Sequence, residues 1–151
     1  MKVEIIDNWL EDDLAEYLSN YLEFGLLYRT NWGSVTGDKT SFLMANFPET
    51  PLSSFLSFKL NKIKKVTILR AYVNLHYMCH GGGFHQDDGD LTFVYMSSKN
   101  VKGGEFEIKD EEKIDYRFNR LIYFDSKKFH KGNPPINNVK RFTLAFKTIL
   151  I

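Results

Sequence analysis

From residue 66 onward the chain is a succession of short β-branched and aromatic runs cut by turn formers, and this texture narrows the fold sharply. The runs are VTILRAYVNLHY (66–77), LTFVYM (91–96), GEFEI (104–108), RLIYF (120–124) and RFTLAFKTIL (141–150). GGG, DDGD, KNVKGG and GNPP lie between them. β-Branched and aromatic residues suit a pleated, half-buried surface, and Gly, Asn, Asp and Pro punctuate it. Five or more such strands predict a sandwich or barrel. The front of the chain reads differently. MKVEIID predicts a short strand. EDDLAEYLSNYLEF (11–24) sets Leu14, Tyr17, Leu18, Tyr21 and Leu22 at helical spacing, with acids at the end that the helix dipole favours. LSSFLSFKLNKI (52–63) predicts a second helix, and residues 29–53, with Gly33, Gly37, Pro48 and Pro51, predict irregular structure. The expected class is α+β, mainly β, with N-terminal helices packed against one sheet of a β core.

A chain of 151 residues is expected to form one domain, 1–65 supporting and 66–151 carrying the core. The charges nearly cancel, 20 Lys and Arg against 19 Asp and Glu, which argues against a general nucleic-acid binder. KLNKIKK (59–65) reads as a solvated face. Cys79 is the one cysteine, so a disulfide framework within the chain is excluded and a reducing compartment is expected. MKVEIIDNWLEDD turns acidic too soon for a signal peptide, and no apolar run reaches the roughly 18 residues of a membrane span. The expected location is cytoplasmic, with no membrane partner.

GGGFHQDDGD (81–90) places His85 and Asp87 two residues apart. In an extended strand such residues project to one side, offering an imidazole nitrogen and a carboxylate oxygen together. His130, after RLIYFDSKKF, is the candidate third ligand. Two histidines and a carboxylate form the facial triad of non-haem iron(II) oxygenases. The alternative is a capped turn, with His130 on a surface loop. Arg141, eleven residues after His130, is expected to start the strand antiparallel to the one His130 ends. Thr143 shares its face, and a guanidinium beside a hydroxyl suits a carboxylate.

With these pieces in order, HQD (85–87), GGEFEI (103–108), NRLIYFDSKKFHKG (119–132) and RFTLAFKT (141–148), the sequence resembles the 2-oxoglutarate- and Fe(II)-dependent oxygenases of the prolyl 4-hydroxylase-like branch. RAYVNLHY and GGGFHQDD also look like small phage-encoded members. The resemblance implies a double-stranded β-helix (jelly-roll) core, with His85, Asp87 and His130 as iron ligands. It implies that Arg141 and Thr143 hold the distal carboxylate of 2-oxoglutarate, with O2 as second cosubstrate and, optionally, ascorbate. Asn74 and Tyr72 fall where relatives place cosubstrate-binding groups, and His76 falls where relatives often have Tyr. Tyr95 matches the family's cosubstrate tyrosine, although alignment from Thr92 puts Met96 there, and a one-residue slip exchanges the faces. The implied reaction is hydroxylation of a C–H bond, foremost in a prolyl residue of a peptide or protein, with release of succinate and CO2.

The rival readings are a nucleic-acid or small-molecule oxygenase of the same superfamily, and a jelly-roll module that binds metal without turnover. Nucleic acid is not favoured, because no basic, aromatic-rich lid demands a flipped base. Asp88 and Asp90 read as turn formers. A zinc site of Cys79, His80 and His85 lacks the usual paired-cysteine spacing. GGG lacks the Lys-Ser/Thr of a phosphate loop and reads as a hinge. Arg70 reads as half of a surface salt bridge, Trp9 as the anchor of the first helix, and 29–50, with Trp32, as a candidate lid. Oligomeric state is left open.

Overall fold

The computed structural model describes residues 1–30, 42–111 and 113–151. Strand β1 (Glu4–Asp7) leads into helix α1 (Asp12–Phe24), whose first turn holds Asp12 and Asp13 against the positive end of the helix dipole. Strands β2 (Arg29–Thr30) and β3 (Leu43–Asn46) precede helix α2 (Pro51–Ile63). A reciprocal cap starts α2: the Thr50 N–H donates to Ser53 Oγ at 2.8 Å and the Ser53 N–H to Thr50 Oγ1 at 3.4 Å. Pro51 stands in the first turn, where its missing N–H would have had no helical partner. Then follow β4 (Val66–His76), β5 (Leu91–Met96), β6 (Phe106–Ile108), β7 (Lys113–Ile114), β8 (Arg120–Asp125), β9 (His130–Gly132) and β10 (Arg141–Leu150). None of the described helices is long and apolar enough to cross a membrane.

Among the described residues the strands form two antiparallel sheets, ordered β1-β8-β5-β10-β4-β3-β2 and β7-β6-β9. Two expectations are corrected. Residues 29–53 are not uniformly irregular: β3 pairs with β4, Leu43 opposite Leu75 and Ala45 opposite Val73. The partner is far along the chain, so local composition carries no sign of it. Trp32 and half of the candidate lid, 31–41 of 29–50, lie outside the described residues. Nor is Arg141 antiparallel to the strand of His130. β9 pairs with β6 in the small sheet, whereas β10 lies between β4 and β5 in the large one. The intervening segment crosses from sheet to sheet, and its turn residues are equally suited to a hairpin.

Side-chain alternation divides the large sheet into two faces. Phe142, Leu144 and Phe146 of β10, Val73 and Leu75 of β4, Phe93 and Tyr95 of β5 and Leu121 of β8 share one apolar cluster. Ala15, Leu18 and Leu22 of α1 and Leu56 and Leu60 of α2 belong to the same cluster. A second cluster joins Val94, Met96, Ile122 and Phe124 to Phe106, Ile108 and Ile114 of the small sheet. Arg141, Thr143, Ala145 and Lys147 alternate with the β10 core residues and line a cavity with Tyr72, Asn74 and His76 of β4.

Asn119 ties the N-terminal segment to this sheet. Its backbone has φ 61°, in the left-handed region that Asn tolerates. Its Oδ1 accepts from the Leu10 N–H at 3.0 Å and from the Tyr95 hydroxyl at 3.2 Å, and its Nδ2 donates to the Leu10 carbonyl at 2.7 Å. Truncation would leave a buried N–H, carbonyl and hydroxyl short of partners. Asn119→Ala is expected to lower unfolding free energy by about 3 kcal/mol, read from the urea midpoint. A loss below about 1 kcal/mol would mean that water replaces the amide.

Candidate functional site

Reciprocal backbone bonds bring His85 and Asp87 to His130. The His85 N–H donates to the His130 carbonyl at 3.0 Å, and the His130 N–H returns a bond at 2.9 Å. The Asp87 N–H donates to the Ser126 carbonyl at 2.8 Å. The three side chains converge so that one ligand atom from each lies within 4.8 Å of the others. His85 Nε2 is 3.6 Å from Asp87 Oδ1, and His130 Nε2 is 3.0 Å from Oδ2.

The ring orientations follow from their other nitrogens. His85 Nδ1 lies 2.9 Å from the Gly83 carbonyl and His130 Nδ1 2.8 Å from the Lys128 carbonyl. A carbonyl only accepts, so each Nδ1 carries the proton and each Nε2 turns a lone pair inward. Burial pulls both imidazoles down to about 4; repulsion between the rings lowers His85 further. They are therefore neutral near pH 7, the form that ligates a metal. Two imidazole lone pairs and a buried carboxylate match the donor set of the non-haem iron(II) facial triad.

Asp87 Oδ2 also accepts from Thr92 Oγ1 at 2.8 Å, and Thr92 Oγ1 lies 3.0 Å from Ser126 Oγ. Lys147 Nζ makes a direct ion pair with the same oxygen. Lys147 is almost fully buried, with Nζ 5.2 Å from the centre of the Tyr72 ring. Burial draws the amine down to about 7, and Arg70 adds to this; the carboxylate in contact favours the ammonium form.

Arg141 lies farther along the same face of β10 and is 1% exposed. Its Nε donates to the Gly104 carbonyl at 2.8 Å and its Nη1 to His76 Nδ1 at 3.2 Å. Arginine only donates, so His76 Nδ1 accepts. Burial and the guanidinium keep the His76 imidazole neutral. The Tyr116 ring lies 5.0 Å from the guanidinium carbon. Two glycines make room: a Cβ on Gly132 would come within 3.1 Å of both terminal guanidinium nitrogens, and one on Gly104 within 2.9 Å of Arg141 Cδ. Arg141 Nη2 is buried with no hydrogen-bond partner among the described residues, and Asn74 Oδ1 is another such atom. An orphaned cationic donor in a cavity that also holds the triad histidines fits an anionic ligand spanning the two.

The cavity thus collects His85, His130, Arg141, Thr143, Asn74 and Tyr72. Tyr95 is corrected. It sits opposite Leu144 on the core face, its hydroxyl bound to Asn119 and its ring 5.5 Å from Trp9. The one-residue offset decides this: Met96 lies opposite Thr143, so Met96, not Tyr95, shares the side of the site residues. Arg70 forms the expected exposed salt bridge, 3.0 Å to Asp88. Cys79 is an exposed free thiol outside the ligand cluster. Sequence reasoning missed Lys147 altogether, although period-2 counting from Arg141 through Thr143 and Ala145 reaches it. Phe42, stacked on the His76 ring at 4.6 Å, gave no local signal.

Residues 67–146 match the family described as the 2OG-Fe(II) oxygenase superfamily. Among curated proteins none matches the sequence. Similar solved structures include a Trichoplax adhaerens prolyl hydroxylase in complex with a hypoxia-inducible-factor oxygen-degradation-domain peptide. It has a TM-score of 0.73 at 17% identity, covering 96% of this chain and 83% of that one. The viral collagen prolyl hydroxylase of Paramecium bursaria Chlorella virus-1, solved with 2-oxoglutarate, gives 0.65 at 18%, covering 99% and 97%. HygX from Streptomyces hygroscopicus, with nickel, 2-oxoglutarate and hygromycin B, gives 0.68 at 10%, covering 95% and 81%. At these identities the structures establish a shared jelly-roll fold, and the match over 67–146 makes this chain a member of the 2-oxoglutarate- and iron(II)-dependent oxygenase superfamily.

Proposed function

We propose that this chain is a dioxygenase that hydroxylates a prolyl residue of a peptide or protein, 2-oxoglutarate being converted to succinate and CO2. In this reading residues 1–151 act as one oxygenase unit. The observation that carries it is the pairing of two features in one cavity: the inward lone pairs of His85 and His130, and the orphaned Nη2 of Arg141. His85, Asp87 and His130 would hold iron(II), which when bound supplies the family's activation of O2.

The chain's own residues do the rest. Arg141 gives the free Nη2 to the distal carboxylate, with its fork held by Gly104 and His76. Thr143 stands two residues along the same face. Asn74 and Tyr72 line the wall between the two ends. Phe106 and Phe42 add apolar lining to the cavity. The prolyl substrate is supported by the Trichoplax and viral relatives, both prolyl hydroxylases. HygX, crystallised with hygromycin B, supports a small-molecule substrate as the second reading.

Anaerobic addition of Fe(II) and then 2-oxoglutarate is expected to raise the visible charge-transfer band of a chelated keto acid. His130→Ala should abolish it; folded wild-type protein without the band would sink the reading. Arg141→Ala removes a charged hydrogen bond of about 1.5–3 kcal/mol, so the 2-oxoglutarate Kd should rise about 10- to 100-fold. Succinate release should then be stimulated by proline-containing peptides. Stimulation by an aminoglycoside or an oligonucleotide alone would reassign the substrate.

The metal-free protein should also carry an acid signature. The two imidazoles titrate at about 4 when folded, against the ordinary 6.5 of the unfolded chain. The unfolded state takes up protons first, so their stabilisation is complete above about 6.5 and is lost as pH falls toward 4. Thermal unfolding of apoprotein should show Tm falling from pH 7 to 4.5, with a shallower slope in His85→Gln. An unchanged slope would mean that other groups carry the acid sensitivity.

A further inference from the structure

We propose that Lys147 is a stand-in cation for the metal: its ion pair with Asp87 balances that carboxylate in the metal-free protein, and it must pass to a cosubstrate carboxylate when a metal binds. Metal and 2-oxoglutarate would then load cooperatively. The inference rests on the iron and 2-oxoglutarate reading above and adds a coupling residue to it.

The donor set around Asp87 makes an electrostatic demand of its own. Asp87 is buried, and both neighbouring imidazoles present lone pairs rather than protons to its carboxylate. His130 Nε2 stands 3.0 Å from Oδ2, an acceptor facing an anion. A buried carboxylate in that setting needs a positive partner. Thr92 supplies one neutral hydrogen bond, and Lys147 supplies the charge. The ammonium approaches the same oxygen as His130 Nε2, so it stands where the attraction of a metal would otherwise be felt.

A divalent cation held by His85, Asp87 and His130 would lie beside that ammonium in a cavity shielded from water. The two cations repel strongly there. Lys147 therefore opposes the metal unless it finds another anion. Its surroundings offer few: the Tyr72 ring lies below Nζ, and Arg70 is its cross-strand neighbour on β4. Arg141 and Lys147 sit on one face of β10, with Thr143 and Ala145 between them. A dicarboxylate with one end on Arg141 would bring its other end toward the triad and Lys147. The strand thus offers two cations for two carboxylates. In this assignment Lys147 is a positioning residue for Asp87 and a partner for the metal-proximal carboxylate.

The test is calorimetric titration with Mn(II), with and without saturating 2-oxoglutarate, on wild type, Lys147→Met and Lys147→Arg. Met keeps the chain length and removes the charge. Lys147→Met is expected to bind Mn(II) alone about tenfold more tightly than wild type. The factor by which 2-oxoglutarate tightens Mn(II) should shrink correspondingly, and Lys147→Arg should keep most of it, because the guanidinium keeps the positive charge; Mn(II) should tighten 2-oxoglutarate by the same factor. A purely structural lysine would lower Tm and weaken Mn(II) binding in the Met variant without changing the coupling factor, and this result would overturn the proposal. So would equal coupling in wild type and Met variant, which would leave the iron and 2-oxoglutarate reading intact. Wild type that binds no Mn(II), while staying folded, would overturn both.

Discussion

The two-residue repeat of β4, β5 and β10 governs everything else in the molecule. On one face it presents Val73, Leu75, Phe93, Leu144 and Phe146 to the apolar cluster. On the other it presents Tyr72, Asn74, His76, Val94, Arg141, Thr143 and Lys147 to the cavity. Register is therefore held from both sides. A slip of one residue in β10 would drive Arg141 and Lys147 into hydrocarbon and turn three large apolar side chains to the site. Burying each of those apolar side chains is worth about 1.5–3 kcal/mol, so the same contacts that build the core fix the aim of the polar groups.

The polar face accumulates unusual electrostatic stress. Arg141, Lys147 and Asp87 are all nearly inaccessible to water. Each has been given specific partners: a carbonyl and an imidazole for Arg141, a hydroxyl and an ammonium for Asp87. What remains unpaired is informative. Arg141 Nη2 and Asn74 Oδ1 are left over in the cavity, a donor with full charge and a neutral acceptor. A protein stabilised for its own sake would have filled such a space with Leu or Met. The orphaned guanidinium nitrogen suits an anionic ligand.

Much of this was legible because strand chemistry is local. The five runs from Val66 to Leu150 contain strands, His85, His130 and Arg141 line one cavity, and Asp87 clusters with the two histidines. What failed was whatever depended on distant partners. Leu43–Asn46 became a strand because β4 had an edge to offer, which no residue between 43 and 46 announces. The pairing of β9 with β6 rather than β10 is a choice between sheets, and a turn sequence does not encode it. Tyr95 was misassigned because a tyrosine and a methionine are adjacent, and only the pairing of Met96 with Thr143 says which faces the site. Lys147 passed unnoticed because a lysine near the end of a strand is ordinarily solvated. Its same-face neighbours Ala145 and Thr143, both buried and leading back to Arg141, are the signal that this one is not.

Lys147 also exposes a tension between stability and loading. Removing it outright would leave Asp87 a buried anion beside two imidazole lone pairs, so the metal-free protein would suffer most. In the proposed assignment, keeping it would give the metal-free protein a charge-balanced state, with the Asp87 carboxylate held by the Thr92 hydroxyl and its N–H by the Ser126 carbonyl. That ion pair would compete with a metal for the same oxygen. The competition would ease once a second anion gave the ammonium another partner. Such a site would resist a metal that arrives without its cosubstrate, through one side chain on a strand whose other residues already serve the fold.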